Sequence, residues 1–508
     1  MFKENILNPS TFCVTWEQIP GRGAIERQQE EIITNAEKAR QSGKIHAIGI
    51  TDNPGGNPAL AVDLLCAELK RTGMEPLVHF ACRDKNRNAI ESMLYGLERS
   101  QARNLLLLSG DYPSNEGFGG TSRPVFDLDP VNALQLVDEM NKGFKYQNMG
   151  KPQQLTPTQF FAGVGISPFK ASESELAGQY YKLRKKIAAG AKFAITQIGY
   201  DARKIHELLQ WLKLNKFDLP VLANLFVLPF GAAKIMKANK IPGCVIPDGL
   251  LAKLEEESKA PDKGKGARIL RAAEFYAVAK GLGCAGAHIG GHNISCDTVL
   301  EVIDRGEELS PNWRDVLAKF DYSSEPTFFY YYKRDEATTL NRPEENPRPE
   351  KAIRPLSYRF AKIMHWIMFD KASPLHHAIM AFVRFADKRP RVKKALGHFE
   401  HIMKVALFGC IDCGDCALFD IGYMCPMASC PKSQRNGPCG GSFNEWCEVH
   451  PNEQKCIWVQ AYQRLKSNDG TSAIFAETSI MPPCNWELWQ TSSWLNYFLG
   501  RDHRKGKF

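Results

Sequence analysis

Eight short β-rich apolar runs punctuate the first 300 residues, and nothing else in the chain restricts its fold as much. They read FCVTWE (12–17), IHAIGIT (45–51), EPLVHFAC (75–82), NLLLLSGD (104–111), FFAGVGIS (160–167), FAITQIG (193–199), PVLANLFVL (220–228) and GAHIGGH (286–292). Each run meets a polar or glycine break, and an amphipathic stretch follows. One such stretch carries Ile25, Ile32, Ile33, Ala36 and Ala39 at helical spacing, with Gly43 as its C-terminal cap. Strands buried on both faces read as continuous apolar runs, and strict β-α alternation implies a parallel sheet. Eight such units predict a (β/α)8 TIM barrel rather than an open doubly wound sheet. No GxGxxG follows the first run, which disfavours a dinucleotide-binding Rossmann unit.

In a barrel of this kind chemistry gathers where the strands end, so the last residues of the runs belong together. They are Glu17, Thr51 with Asp52, Cys82 with Asp84, Ser109 with Asp111, Ser167, Gln197, and His288 with His292, while His79 lies deeper in its run. Any one of these acids alone reads as a turn former or helix cap. Their joint placement at one mouth reads as a site.

The chain has 508 residues, enough for two or three domains, and a net charge of +9. That excess is small for the length and no Lys/Arg tract stands out, so anionic small molecules fit better than nucleic acid. The first residues have no apolar core of signal-peptide length, and no stretch approaches the roughly 18 apolar residues of a membrane span. A cytoplasmic protein is expected. The β-α alternation stops near residue 323, where a segment with five prolines, running to 357, reads as a linker or docked arm, with Phe328 to Tyr332 its anchoring cluster. The expected division is a barrel over 1–310, a linker over 311–357, and a mainly helical, cysteine-rich metal-binding domain over 358–508. Ser373 and Pro374 mark the start of one of its helices.

Eight of the 15 cysteines lie between Cys410 and Cys456. In a reducing compartment such a cluster points to metal ligation. Cys410, Cys413 and Cys416 form C-x2-C-x2-C, and Cys425 and Cys430 each precede a proline, a pattern close to iron–sulfur ligation; zinc is the alternative. With Cys439, Cys447 and Cys456 there are eight ligands, enough for two four-ligand centres.

VTWEQIP, IGITDNPGG, PLVHFACRDKN, LLLLSGDYP and KFAITQIGYD resemble, in order and spacing, the strand-end motifs of methylenetetrahydrofolate reductases, over roughly residues 10 to 305. The resemblance implies a flavin-dependent barrel that interconverts 5,10-methylenetetrahydrofolate and 5-methyltetrahydrofolate. It assigns Glu17 as the general acid that protonates N10, a role suited to a carboxyl whose pKa is raised by a partly apolar pocket. It places Asp111 near both flavin and folate, Gln197 on the pterin ring, and Thr51, His79, Ser109, Lys185 and Lys186 around the cofactor. Ser109 stands where many members have arginine, and Lys182 where they have asparagine, so FAD and FMN both remain open. Residues 360 to 465 resemble the cysteine-rich C-terminal domain of some such reductases. Single electrons from a ferredoxin-like or flavoprotein partner, or hydride from NAD(P)H, are then the expected sources of reducing power, and a homo-oligomer is compatible with the chain. The competing readings are a non-catalytic electron-transfer scaffold and a pterin-dependent methyltransferase with a zinc site.

Overall fold

The computed structural model describes residues 1–322, 327–346, 350–466 and 478–504. All eight apolar runs are strands: β1 (Cys13–Gln18), β2 (Ala47–Ile50), β3 (Pro76–Ala81), β4 (Asn104–Leu108), β5 (Phe161–Ile166), β6 (Ala194–Thr196), β7 (Val221–Phe226) and β8 (Gly286–Gly290). Every neighbouring pair is parallel, and β8 closes on β1 with Thr15 opposite His288. An eight-stranded barrel results, followed by a helical region rich in cysteine. An exposed hairpin, Lys145–Asn148 with Lys151–Gln154, is inserted before β5.

Successive strand residues face opposite sides, which sorts each run into two sets. Val14, Trp16, Ile48, Ile50, Val78 and Phe80 face outward into the main core shared with the helices. Cys13, Ala47, Leu77, Leu106, Phe161 and Leu222 pack into a separate core inside the barrel. The N-terminal helix Phe2–Leu7 completes that inner core, with Phe2 edge-on to Phe161 and Phe193 at 6.1 and 5.2 Å between ring centroids. One end of the barrel is thus filled with apolar side chains, and the polar inward residues occupy the other.

The helix predicted after β1 runs Arg27–Ser42 and ends on Gly43 at φ +66°, a left-handed cap that glycine adopts without steric cost. Ile25 precedes this helix and is exposed, so it does not belong to the buried stripe. The arm after the barrel is docked where it is described: Phe329 and Tyr331 are buried, Tyr331 N donates to Glu207, and Arg203 lies over the Phe329 ring at 4.1 Å. Ser373 and Pro374 form the turn just ahead of the helix His376–Asp387.

Candidate active site

Glu17 is the third inward residue of β1, after Cys13 and Thr15, and it meets two histidines. Its Oε2 lies 3.4 Å from His288 Nε2 and 3.7 Å from His79 Nδ1. Polar atoms of the three side chains all lie within 4.8 Å of one another. Thr15 Oγ1 sits 2.7 Å from His288 Nδ1, fixing the ring from its far side. Gly49, opposite Glu17 on β2, leaves room for the pair, since a β-carbon there would stand 2.7 Å from His79 Nε2 and 3.1 Å from His288 Cε1.

This environment reverses one expectation. Burial alone would raise the Glu17 carboxyl, but the hydrogen bond to His288 and the adjacent imidazoles outweigh it and hold the group below its ordinary value. Burial and the neighbouring His288, opposed by Glu17, push His79 down to about 4. Glu17 is therefore a carboxylate hydrogen-bonded to His288 rather than a carboxylic acid in an apolar pocket.

Asp111 and Gln197 follow the C-terminal ends of β4 and β6, at the same end of the barrel as Glu17. The buried Cys244 thiol, pushed up to about 12 chiefly by burial, also feels the carboxylates of Asp111 and Glu17. Gln197 Nε2 donates to Pro242 O at 3.4 Å, two residues before Cys244, and its Oε1 accepts from Ile198 N at 2.9 Å. Asp111 Oδ2 accepts from Gly55 N at 2.9 Å, tying the end of β4 to the loop after β2. Thr51 Oγ1, His79 Nε2 and Ser167 Oγ are buried without a hydrogen-bond partner among the described residues. Buried polar atoms are rarely left so, and these three lie within or just past strands of the mouth.

The matches to known families agree with this geometry. Residues 4–301 match the family Methylenetetrahydrofolate reductase, and residues 389–487 match Methylene-tetrahydrofolate reductase C terminal. The chain belongs to the methylenetetrahydrofolate reductase family. It is 26% identical over 200 residues to methylenetetrahydrofolate reductase 2 of Saccharomyces cerevisiae, a stretch that covers 38% of this chain and 30% of the yeast protein. The chain thus spans about a third of that relative's length. Among solved structures it is similar to an uncharacterized protein from Clostridium thermocellum that binds two copies of 5-methyl-5,6,7,8-tetrahydrofolic acid. That match has 14% identity and a TM-score of 0.42, and covers 61% of this chain and all of the other. A second is Yersinia pestis DHPS with a pterine–sulfa conjugate, at 12% identity and a TM-score of 0.34, covering 60% of this chain and 96% of the other.

In this reductase-family chain the cysteine-rich region lies directly on the barrel mouth. Lys432 Nζ donates to Gly110 O at 2.7 Å, next to Asp111. Gln434 Oε1 accepts from Ser109 Oγ at 3.1 Å and from Lys182 Nζ at 2.6 Å, and Asn436 holds Asp129 through its backbone and side-chain amides. Lys170 donates to Ser442 O. Lys182, Lys185 and Lys186 are buried, which excludes a solvated helix face. Lys186 donates to Gly165 O at 2.6 Å and is lowered to about 7, by burial first and then by Lys182, while Lys185 lies 4.5 Å from the centre of the Tyr181 ring.

The eight clustered cysteines divide into two quartets. Cys410, Cys413, Cys416 and Cys425 line one cavity, and Cys430, Cys439, Cys447 and Cys456 line another. Lys404 Nζ lies 3.4 Å from Cys416 Sγ in the first quartet.

Sequence reasoning did not single out Thr15, Cys484 or the Lys432–Gln434 contact, and it gave His288 no role. The Cys484 thiol is held below its ordinary value chiefly by Cys413, although 71 residues separate them in sequence. A signal for His288 did exist: barrel closure brings the last strand beside the first, so a histidine ending the eighth run must stand near Glu17.

Proposed function

We propose that this chain is a methylenetetrahydrofolate reductase interconverting 5,10-methylenetetrahydrofolate and 5-methyltetrahydrofolate, with a flavin at the barrel mouth and iron–sulfur clusters in the two quartets. The observation that carries the reading is the Glu17–His288 hydrogen bond at a mouth also lined by Asp111 and Gln197, in a chain of this family.

Reduction of the methylene bridge requires the five-membered ring to open, and that needs a proton at N10. Glu17 and His288 share a hydrogen bond through which one proton can be held and handed over, with Thr15 orienting the imidazole. Ring opening leaves a cation at N5, and the Asp111 carboxylate supplies the nearby negative charge that stabilises it. Beyond its bonds to Pro242 O and Ile198 N, the Gln197 amide retains one N–H and one carbonyl lone pair for a pterin edge.

The unpartnered Thr51, His79 and Ser167 atoms suit the polar edge of a flavin ring, which supplies hydride transfer when bound. Lys185 and Lys186, expected near the cofactor phosphates, are taken up within the protein, so they support cofactor binding less than those three do. The quartets suit clusters better than zinc. The C-x2-C-x2-C run of Cys410, Cys413 and Cys416 is the spacing of ferredoxin-like ligation, whereas zinc more usually takes paired C-x2-C. Such clusters carry single electrons, and a ferredoxin-like or flavoprotein donor is the matching partner.

The test is turnover of 5,10-methylenetetrahydrofolate by the reduced protein and by Glu17→Gln. The variant is expected to keep its fold and bound flavin while losing more than about a hundredfold in rate. Undiminished turnover removes the Glu17–His288 pair from the chemistry.

A further inference from the structure

Three consecutive helices, Leu356–Phe369, His376–Asp387 and Pro390–Phe408, lead into the first cysteine quartet. Each turns large apolar side chains to solvent. Leu356, Phe360 and Ile363 recur at helical spacing on the first and are 81, 49 and 57% exposed. Phe382 and Phe385 project from the second, and Phe399 and Ile402, 55 and 54% exposed, from the third. On that third helix Ala395 and Ala406 are also exposed at the same spacing. An exposed apolar surface spread over three helices marks an interaction site.

The charge of the molecule is concentrated on the same segment. Residues 351–409 contain twelve Lys and Arg against three Asp and Glu, a net +9 that equals the net charge of the whole chain, so the remaining residues balance. Arg359, Lys362, Lys388, Arg391 and Lys394 are exposed among the apolar side chains. Arg389 lies 3.7 Å from the centre of the Phe385 ring, a long cationic side chain laid across an aromatic one.

We propose that this face docks on an anionic lipid surface, with the three helices lying in the plane of the interface. Apolar stripes of Phe, Ile, Leu and Trp flanked by Lys and Arg are what such a surface selects: hydrocarbon takes the protruding side chains and the anionic headgroups take the cations. Trp366, half exposed on the first helix, suits the headgroup boundary. A second copy of the chain fits poorly, since it would set one +9 segment against another. Interface cores between permanently associated proteins are depleted in charge, and a transient electron carrier needs a small patch, not three helices. The contact is peripheral, because no described helix is long and apolar enough to cross a membrane. This inference does not depend on the reaction proposed above.

The experiment is flotation of the full-length protein with vesicles of phosphatidylcholine alone and of phosphatidylcholine containing about one third phosphatidylglycerol. The protein is expected to float with the anionic vesicles, to stay behind with the neutral ones, and to be released by about 0.5 M salt. Arg391→Glu with Lys394→Glu, and separately Phe399→Asp with Ile402→Asp, are expected to weaken flotation by more than about tenfold, with unchanged far-UV circular dichroism. Equal flotation with both vesicle types overturns the proposal. So does absence of flotation by the wild-type protein, which leaves a soluble acidic protein as the occupant. A dimer seen in sedimentation velocity without vesicle binding, dispersed by the Phe399→Asp pair, overturns it in favour of a second copy.

Discussion

A β-carbon at Gly49 would stand 2.7 Å from His79 Nε2, closer than unstrained atoms pack. The same carbon would press on His288, so one methyl group disturbs both partners of Glu17. Gly49→Ala is expected to reduce turnover by more than about tenfold, because misplacing a catalytic group by even an ångström is costly. Steady-state kinetics on a variant that still melts cooperatively checks this, and wild-type turnover would mean that the histidine geometry is not needed.

His79 gives the fold an acid-sensitive element. Its imidazole takes up a proton near pH 6.5 when unfolded but only at about 4 in the barrel. Between those values the unfolded chain binds more protons, so this contribution is full above about 6.5 and is lost as pH falls toward 4. His79→Gln should flatten the denaturant-unfolding stability profile in that window. A slope equal to the wild type's would assign the acid sensitivity elsewhere.

Lys432 is ion-paired with Glu448, both almost fully buried, and also donates to Gly110 O at the end of β4. Lys432→Met keeps the apolar stem but strands the Glu448 carboxylate, a loss of about 3–5 kcal/mol. Denaturant unfolding should register that loss, and a change below about 1 kcal/mol would show that the pair contributes little.

If each quartet holds its own cluster, the two should be separable by mutation. Cys439→Ser is expected to remove about half the iron and acid-labile sulfide of anaerobically purified protein, since the Cys410, Cys413, Cys416 and Cys425 set is left whole. Zinc in place of iron in the wild-type protein would turn the C-terminal region into a structural element.

The barrel was legible because its strands bury both faces. Outward residues such as Val14, Trp16, Val78 and Phe80 and inward ones such as Cys13 and Leu77 are all apolar, so each run reads as continuous. The hairpin at 145–154 was not, because its eight strand residues are all exposed and polar or charged, apart from Tyr146 and Pro152. The strand-end carboxylates were visible as positions but not as charge states. Glu17 lies below its ordinary value because of His288, 271 residues away, and His79 on a different strand. Segment 432–442 escaped prediction for the same reason: Gln434 meets Lys182 across 252 residues, and nothing local to either announces the contact.

The seating of Lys432, Gln434 and Asn436 on the strand ends also bears on how the polypeptide can be divided. Excising everything beyond the arm would uncover the amines of Lys170 and Lys182 and the Asp129 carboxylate, each now satisfied by the cysteine-rich region. The barrel of this protein is therefore not a self-contained unit with an accessory attached, because part of the wall around its opening is contributed by the other end of the chain.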